Sequence, residues 1–378
     1  MNKIVMIIST LVFYMIPLLL PLNAGLAQSN SNGLINENST DKTKSLYTNF
    51  SKTKGRGVMF GHQDDLALGV KWKFENGRSD IQEVCNDFPA VFGWDVGMIG
   101  KQSTNQDGIS FDMMTSWMKL TYKSGGINTI SWSMDNPITE GPCTDLTPAV
   151  ASIIPGGEYH DKYKSSLDVF AQYTKQLNIG KGDEKLIPII FRPFHQSSIE
   201  KFWWSMENCQ PKDFIELWRF TVEYLNNEKG LENIIYAYST DAFSSVDEFM
   251  EFYPGDEYVD IIGLNLYDTG QQDFALELSK KLMVLNTIGA EYGKVTAITE
   301  TGYKQVPIST WWTDQLIKGI FTNRSTANIS YLMVGKNLSS DHFYAPFPEH
   351  SSAENFKQLY QNMYTLFLED LQDVYATK

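Results

Sequence analysis

Glu300 closes the apolar run Val295-Thr296-Ala297-Ile298-Thr299 and is followed by Thr301-Gly302. A carboxylate placed at the end of a buried run needs a reason, because an unpaired charge in apolar surroundings is costly. Polar groups also follow other short apolar runs: Gly61-His62-Gln63-Asp64-Asp65, Trp94-Asp95, Trp132 to Asn136, Arg192-Pro193-Phe194-His195-Gln196, Phe202-Trp203-Trp204 and Asn265-Leu266-Tyr267. Ring faces beside hydrogen-bonding side chains suit a pyranose, which offers CH patches on one side and hydroxyls around its edge. The candidate sugar-binding set is therefore His62, Asp64, Asp65, Trp94, Asp95, Trp132, Asn136, Arg192, His195, Trp203, Trp204 and Tyr267.

Several of these have a structural alternative. Trp203 and Trp204 are adjacent, so at least one is expected to pack as core and the other to serve as a sugar platform. Asp64 and Asp65 either bind hydroxyls or cap the following turn. His195 is expected to orient neighbours rather than transfer protons. Tyr267 either hydrogen-bonds Glu300 or closes the barrel end, and Trp311-Trp312 either pack helices or wall a binding site.

Positioning these groups on one rim requires a repeated scaffold. Eight short runs, beginning near Val58, Ala90, Ile127, Leu186, Ile234, Val259, Val295 and Ile329, are β-branched or aromatic without strict alternation, as parallel strands buried on both faces are. Helical patterns such as Ser165 to Leu177 and Pro211 to Glu228 lie between them. Eight β/α units in one uninterrupted stretch predict an α/β fold, a single TIM (β/α)8 barrel over residues 45–378, with an open doubly wound sheet as the alternative. In a barrel the residues after each strand form the functional face.

The chain has 378 residues, 42% of them hydrophobic, which is enough for a large core. Its net charge of −14, without basic clusters, argues against nucleic acid as a partner. Lys3, the apolar run Ile4 to Leu22 and the small residues Gly25 and Ala27 read as a signal peptide over 1–27, cut after Ala27. A retained anchor is the alternative, since the run approaches spanning length. The mature protein is thus expected to be secreted or periplasmic, without an obligatory membrane partner, and monomeric. Residues 28–44, rich in Ser, Asn and Thr, read as a flexible leader. Cys85, Cys143 and Cys209 allow at most one disulfide, and the scattered histidines show no metal-binding spacing. No metal or other cofactor is expected, and the serine-hydrolase, P-loop and dinucleotide motifs are absent.

The ordered motifs Gly61 to Asp65, Phe92 to Asp95, Trp132 to Pro137, Arg192 to His195, Phe202 to Trp204, Thr299 to Gly302 and His342 to Pro346 resemble glycoside hydrolase family 26 from about Gly57 to the C-terminus. The resemblance implies a TIM barrel with catalytic glutamates after strands 4 and 7, and usually a retaining endo-β-1,4-mannanase acting on β-mannan. Glu300 matches the nucleophile. The residue after the strand-4 histidine is the acid/base glutamate in that family, and here it is Gln196. Retention needs two carboxyl groups about 5 to 5.5 Å apart. An amide has no proton to give near neutral pH, and general acid–base catalysis contributes roughly 10² to 10⁴ in rate.

Met98, Ser133, Asn265 and Gly335-Lys336 also depart from the family pattern, where His, His, Asp and Trp-Arg are usual. Glu200, four residues after Gln196, is a weak substitute acid. The residues thus support a weakened exported β-mannanase or, alternatively, a catalytically inactive glycan-binding protein on the same scaffold.

Overall fold

The computed structural model describes residues 33–180, 185–198, 200–241 and 243–376. The expected signal segment lies outside the described residues. Eight parallel strands close into a barrel: β1 (Val58–Gln63), β2 (Val91–Asp95), β3 (Ile127–Ser131), β4 (Ile189–Arg192), β5 (Ile234–Thr240), β6 (Ile261–Asp268), β7 (Val295–Tyr303) and β8 (Tyr331–Val334). Each pairs with the next, and β1 pairs with both β2 and β8, so the open-sheet alternative is excluded and the fold is a single TIM barrel. A short ninth strand, β9 (Thr365–Leu366), adds in parallel to the start of β1. Helices including Phe111–Lys123, His160–Gln176, Pro211–Glu223 and Phe274–Glu291 provide the crossovers that parallel pairing requires.

Side chains alternate across each strand, and the two buried clusters follow that alternation. Met59, Val91, Ile127, Ile190, Ile235, Ala237, Ile261, Val295 and Met333 fill the barrel interior. Their neighbours, among them Phe60, Phe92, Ile130, Phe191, Tyr236 and Leu332, pack outward against the helices. Followed toward the strand ends, the inward series becomes polar: Asp95 on β2, Thr129 and Ser131 on β3, Arg192 on β4, Ser239 on β5 and Asn265 on β6. The interior is thus apolar at its base and hydrogen-bonding at its mouth.

The base is closed by α1 (Asp41–Thr53), whose Leu46, Tyr47 and Phe50 belong to the interior cluster. This corrects the expected flexible leader at its C-terminal end. Leu34 is buried in the same cluster, Ile35 N donates to Asp260 Oδ1 at 2.8 Å, and Thr40 caps α1 through Thr43 N. Composition suggested a leader because single apolar residues such as Leu34 do not reveal that a barrel floor awaits them. A chain starting at Thr40 is expected to be about 2 kcal/mol less stable than one starting at Gln28, from lost Leu34 burial and one lost donor to a buried carboxyl. Equal urea midpoints for the two chains would restore the leader reading.

Candidate active site

Two local features aim Glu300 into the barrel mouth. Between Ile298 and Thr301, β7 advances three residues while β8 advances two, and the register with β6 also shifts, pairing Leu264 with Ile298 but Asn265 with Glu300. This bulge turns Glu300 toward the axis, as bulges beside active sites do. The extra residue, Thr299, is held by hydroxyl contacts to Ser239 at 2.6 Å and Asn265 at 2.7 Å. Opposite, the loop after β4 places Phe194 (φ 50°) and Gln196 (φ 52°) in the left-handed region, a costly conformation for side chains of this size. The Phe194 ring offsets that cost by packing among Trp203, Trp204, Phe214 and Trp218.

Glu300 is enclosed by donors. Arg192 Nη1 donates to Oε1 at 2.9 Å, while Gln196 Nε2 and the Tyr267 hydroxyl donate to Oε2 at 2.9 and 3.2 Å. Arg192 is fully buried and also donates to Thr129 Oγ1 and Thr299 O, which fixes the guanidinium on the barrel axis. The Gln196 amide orientation is dictated by chemistry: its Oε1 accepts from Lys201 Nζ at 2.8 Å, so Nε2 must face the carboxylate.

Burial is the largest influence on the Glu300 carboxyl and pushes it up, but the charge and hydrogen bond of Arg192, together with the other cationic groups around it, including Lys201, leave it below its ordinary value. His195, in contrast, is driven down to about 4, chiefly by burial and despite the nearby Glu300 and Asp95 carboxylates. A histidine titrating there is neutral near pH 7, so Arg192, supported by Lys201, keeps Glu300 ionised. Tyr267 is raised well above its usual range, first by burial and then by Glu300, and retains the proton it donates.

These groups border an open cleft of about 660 Å³, whose walls also carry Gln63, Ser133, Lys201, Asp241, Lys336 and Tyr344. Gly335 and Gly302 make room for the Tyr344 ring, which a Cβ at either position would meet at under 3 Å. Tyr344 in turn packs edge-on against Tyr267 at 5.2 Å between centroids. The Gly335 departure thus accommodates a second tyrosine beside Glu300. A carboxylate held charged on the floor of a groove of this size can attack an electrophilic carbon of a bound chain.

The sequence pattern of glycosyl hydrolase family 26 matches residues 35–322. The chain belongs to glycosyl hydrolase family 26. It is 30% identical over 303 residues to a mannan endo-1,4-β-mannosidase of Bifidobacterium adolescentis, covering 75% of this chain and 29% of that protein. It is also 30% identical to one from Bacillus subtilis strain 168, covering 59% and 60% respectively. The chain therefore spans less than two thirds of the length of either. In structure it resembles a family 26 β-mannanase from Bacteroides ovatus, with a TM-score of 0.86, 34% identity and coverage of 90% and 98%. An endo-β-1,4-mannanase from Cellulomonas fimi gives 0.83, with 30% identity and coverage of 91% and 79%.

Within this family 26 barrel, strand alternation sorts the residues singled out in the sequence. Asp95, His195, Gln196, Tyr267 and Glu300 line the cleft, and Arg192 touches Glu300 from beneath. Trp94 and Trp132 sit one residue out of phase with the inward positions and stack outward on Trp117 and Phe170. His62 is likewise out of phase with Gln63, the residue that reaches the cleft; it is buried and bonds Asp65 at 2.7 Å. Asp64 and Asp65 are also fully buried. Asn136 organises its own turn through Asp145 O, Thr147 O and Ile138 N.

Both Trp203 and Trp204 are core, so neither is a sugar platform. Their indole nitrogens bond Met134 O and His195 O, and both side chains are fully buried. Trp311 and Trp312 are buried as well. Glu200 is exposed and does not line the cleft, which removes it as a substitute acid. The three cysteines are free thiols.

Sequence reasoning missed Gln63, Lys201 and Asp241. Gln63 and Asp241 could have been found by counting two residues at a time along β1 and β5; Lys201, in an irregular loop, carried no such signal.

Replacing Arg192 by Met leaves Glu300 without its cation, and breaking a buried pair costs on the order of 3 kcal/mol. In the parent, the depressed Glu300 pKa contributes stability above the unfolded value of about 4.3, lost as pH falls through the folded value. The stability deficit of Arg192→Met should therefore be larger at pH 7 than at pH 4 in urea titrations. A deficit independent of pH would mean that Glu300 is not held as an anion.

Proposed function

We propose that the chain hydrolyses β-1,4-mannosidic bonds of mannan or galactomannan with retention, Glu300 acting as nucleophile. The observation that carries this reading is the Glu300 carboxylate held charged by Arg192 and Tyr267 on the floor of an open cleft. The substrate class is supported by the mannan endo-1,4-β-mannosidases to which the chain is similar. In the first half-reaction the Glu300 oxygen bonds the anomeric carbon and the glycosidic oxygen leaves with the electron pair. In the second, water displaces Glu300. The reaction needs no cofactor.

Gln196 weakens both halves. It occupies the place of the proton donor with an amide that has no proton to transfer and already donates one N–H to Glu300, so turnover is slow. A glutamate there would share a site with Glu300, and like-charge proximity would raise its pKa toward that of a useful acid. The second reading, a glycan-binding protein without turnover, is favoured by one contact: Gln196 Nε2 adds a second donor to Glu300 Oε2, which already accepts from Tyr267.

Reducing-end release from galactomannan separates the two readings. The parent should turn over slowly and Gln196→Glu faster by roughly 10-fold or more. A parent equal to the revertant would overturn the role given to Gln196, and no turnover by either would favour the binding protein.

A further inference from the structure

The slow turnover proposed above still requires a proton for the leaving oxygen, and one carboxyl in the cleft is placed to supply it. Asp241 follows β5 (Ile234–Thr240) directly and continues its inward series Ile235, Ala237, Ser239. It lines the same cavity as Glu300, Gln196 and Lys201. Its position is set from two sides. Toward β4, the Asp241 backbone N–H and the Thr240 hydroxyl both contact Ser198 Oγ at 2.7 Å, tying Asp241 to the loop two residues beyond Gln196. Toward β6, Asn265 neighbours it, and Asn265 pairs in register with Glu300. Asp241 therefore stands between the Gln196 loop and the Glu300 strand, on the acid/base side of the cleft.

The Asp241 environment stabilises a carboxylic acid rather than a carboxylate. Its Oδ2 is buried and has no partner in hydrogen-bonding geometry among the described residues, although Asn265 lies close enough to favour the charged form somewhat. Burial, and after it the Glu300 charge, push the group well above the ordinary carboxylate range, with Lys201 acting in the opposite sense. Two carboxyl groups in one cleft, one held ionised by an arginine and one held protonated by desolvation, are the division of labour that retaining hydrolysis requires.

We infer that Asp241 is the acid/base of this chain, standing in for the glutamate absent at position 196. The inference rests on the retaining reaction at Glu300. As Glu300 attacks the anomeric carbon, the C–O bond to the leaving sugar breaks, its electron pair stays on the glycosidic oxygen, and the Asp241 proton moves to that oxygen. In the second step the Asp241 carboxylate takes a proton from water, which bonds the anomeric carbon as the Glu300 ester bond breaks. Asp241 is then protonated again and Glu300 is ionised. Reaching the oxygen from the end of β5 rather than β4 leaves the transfer less well aligned, consistent with turnover slower than in Gln196→Glu.

The test uses the parent, Asp241→Asn, Gln196→Glu and the double variant, on galactomannan and on 2,4-dinitrophenyl β-mannoside, whose leaving group needs no protonation. Asp241→Asn should lower galactomannan turnover by roughly 10². On the aryl mannoside it should leave a rapid burst of dinitrophenolate followed by slow turnover that azide accelerates, because azide attacks the glycosyl ester without base assistance. In the Gln196→Glu background the same substitution should cost at least tenfold less.

Unchanged galactomannan turnover in Asp241→Asn would overturn the inference. So would a burst lost in proportion to the polymer activity, which is the mark of a structural defect, or a failure of azide to accelerate. A parent without galactomannan turnover would overturn it as well. In that case an active Gln196→Glu leaves the mannanase reading standing, whereas an inactive one removes both.

Discussion

The ion pair between Arg192 and Glu300 is the constraint around which the barrel mouth is arranged. Arg192 is fully buried, and a guanidinium cannot shed its charge, so its donors need partners within the protein, although Nη2 is left without one among the described residues. Thr129 from β3, Thr299 O from β7 and the Glu300 carboxylate meet most of them, and these partners come from strands on opposite sides of the barrel. The bulge that inserts Thr299 brings Glu300 within reach, and Ser239 and Asn265 hold the bulge. A buried pair of this kind contributes little net stability compared with an apolar core, but it costs heavily to break. Its effect is to keep one carboxylate charged and immobile in front of an open cleft.

Gln196 fits into that arrangement without disturbing it. An amide is close in shape to a carboxyl group, and here each of its ends finds a complementary partner, Lys201 at the oxygen and Glu300 at the nitrogen. The exchange therefore preserves the packed, left-handed loop over Phe194 and removes only the transferable proton. Neutral His195 cannot replace that proton, since its pKa is driven down to about 4 and at neutral pH it lacks the second, acidic ring proton. Chemistry that survives at this site has to draw on a carboxyl elsewhere along the rim.

Strand count and class were legible in the sequence because parallel strands buried on both faces leave short apolar runs spaced by longer helical patterns. Glu300, Tyr267, Arg192 and Gln196 were legible because motifs at strand ends mark them. What the runs concealed was phase. A strand apolar on both sides does not announce which alternate residues face inward, so Trp94, Trp132 and His62 looked as available as Asp95, Ser133 and Gln63. The tryptophan pair Trp203-Trp204 misled for a related reason: its task is to support the strained Phe194 loop from below, and aromatic residues serve a core and a sugar face equally well. Asp241 escaped notice because β5 runs two residues further than its apolar run, to Thr240.

Chemistry at this site depends on Glu300 being a competent nucleophile where the usual acid is absent. The most direct measurement is covalent trapping with a 2,4-dinitrophenyl 2-deoxy-2-fluoro-β-mannoside, followed by intact mass and peptide mapping. Its leaving group needs no protonation and its fluorine slows release, so the glycosyl-enzyme accumulates whatever residue supplies the acid. The expected result is one sugar per chain on the peptide containing Glu300, absent from Glu300→Gln. A folded protein that takes up no label, or takes it up on another residue, would show that Glu300 is not the nucleophile.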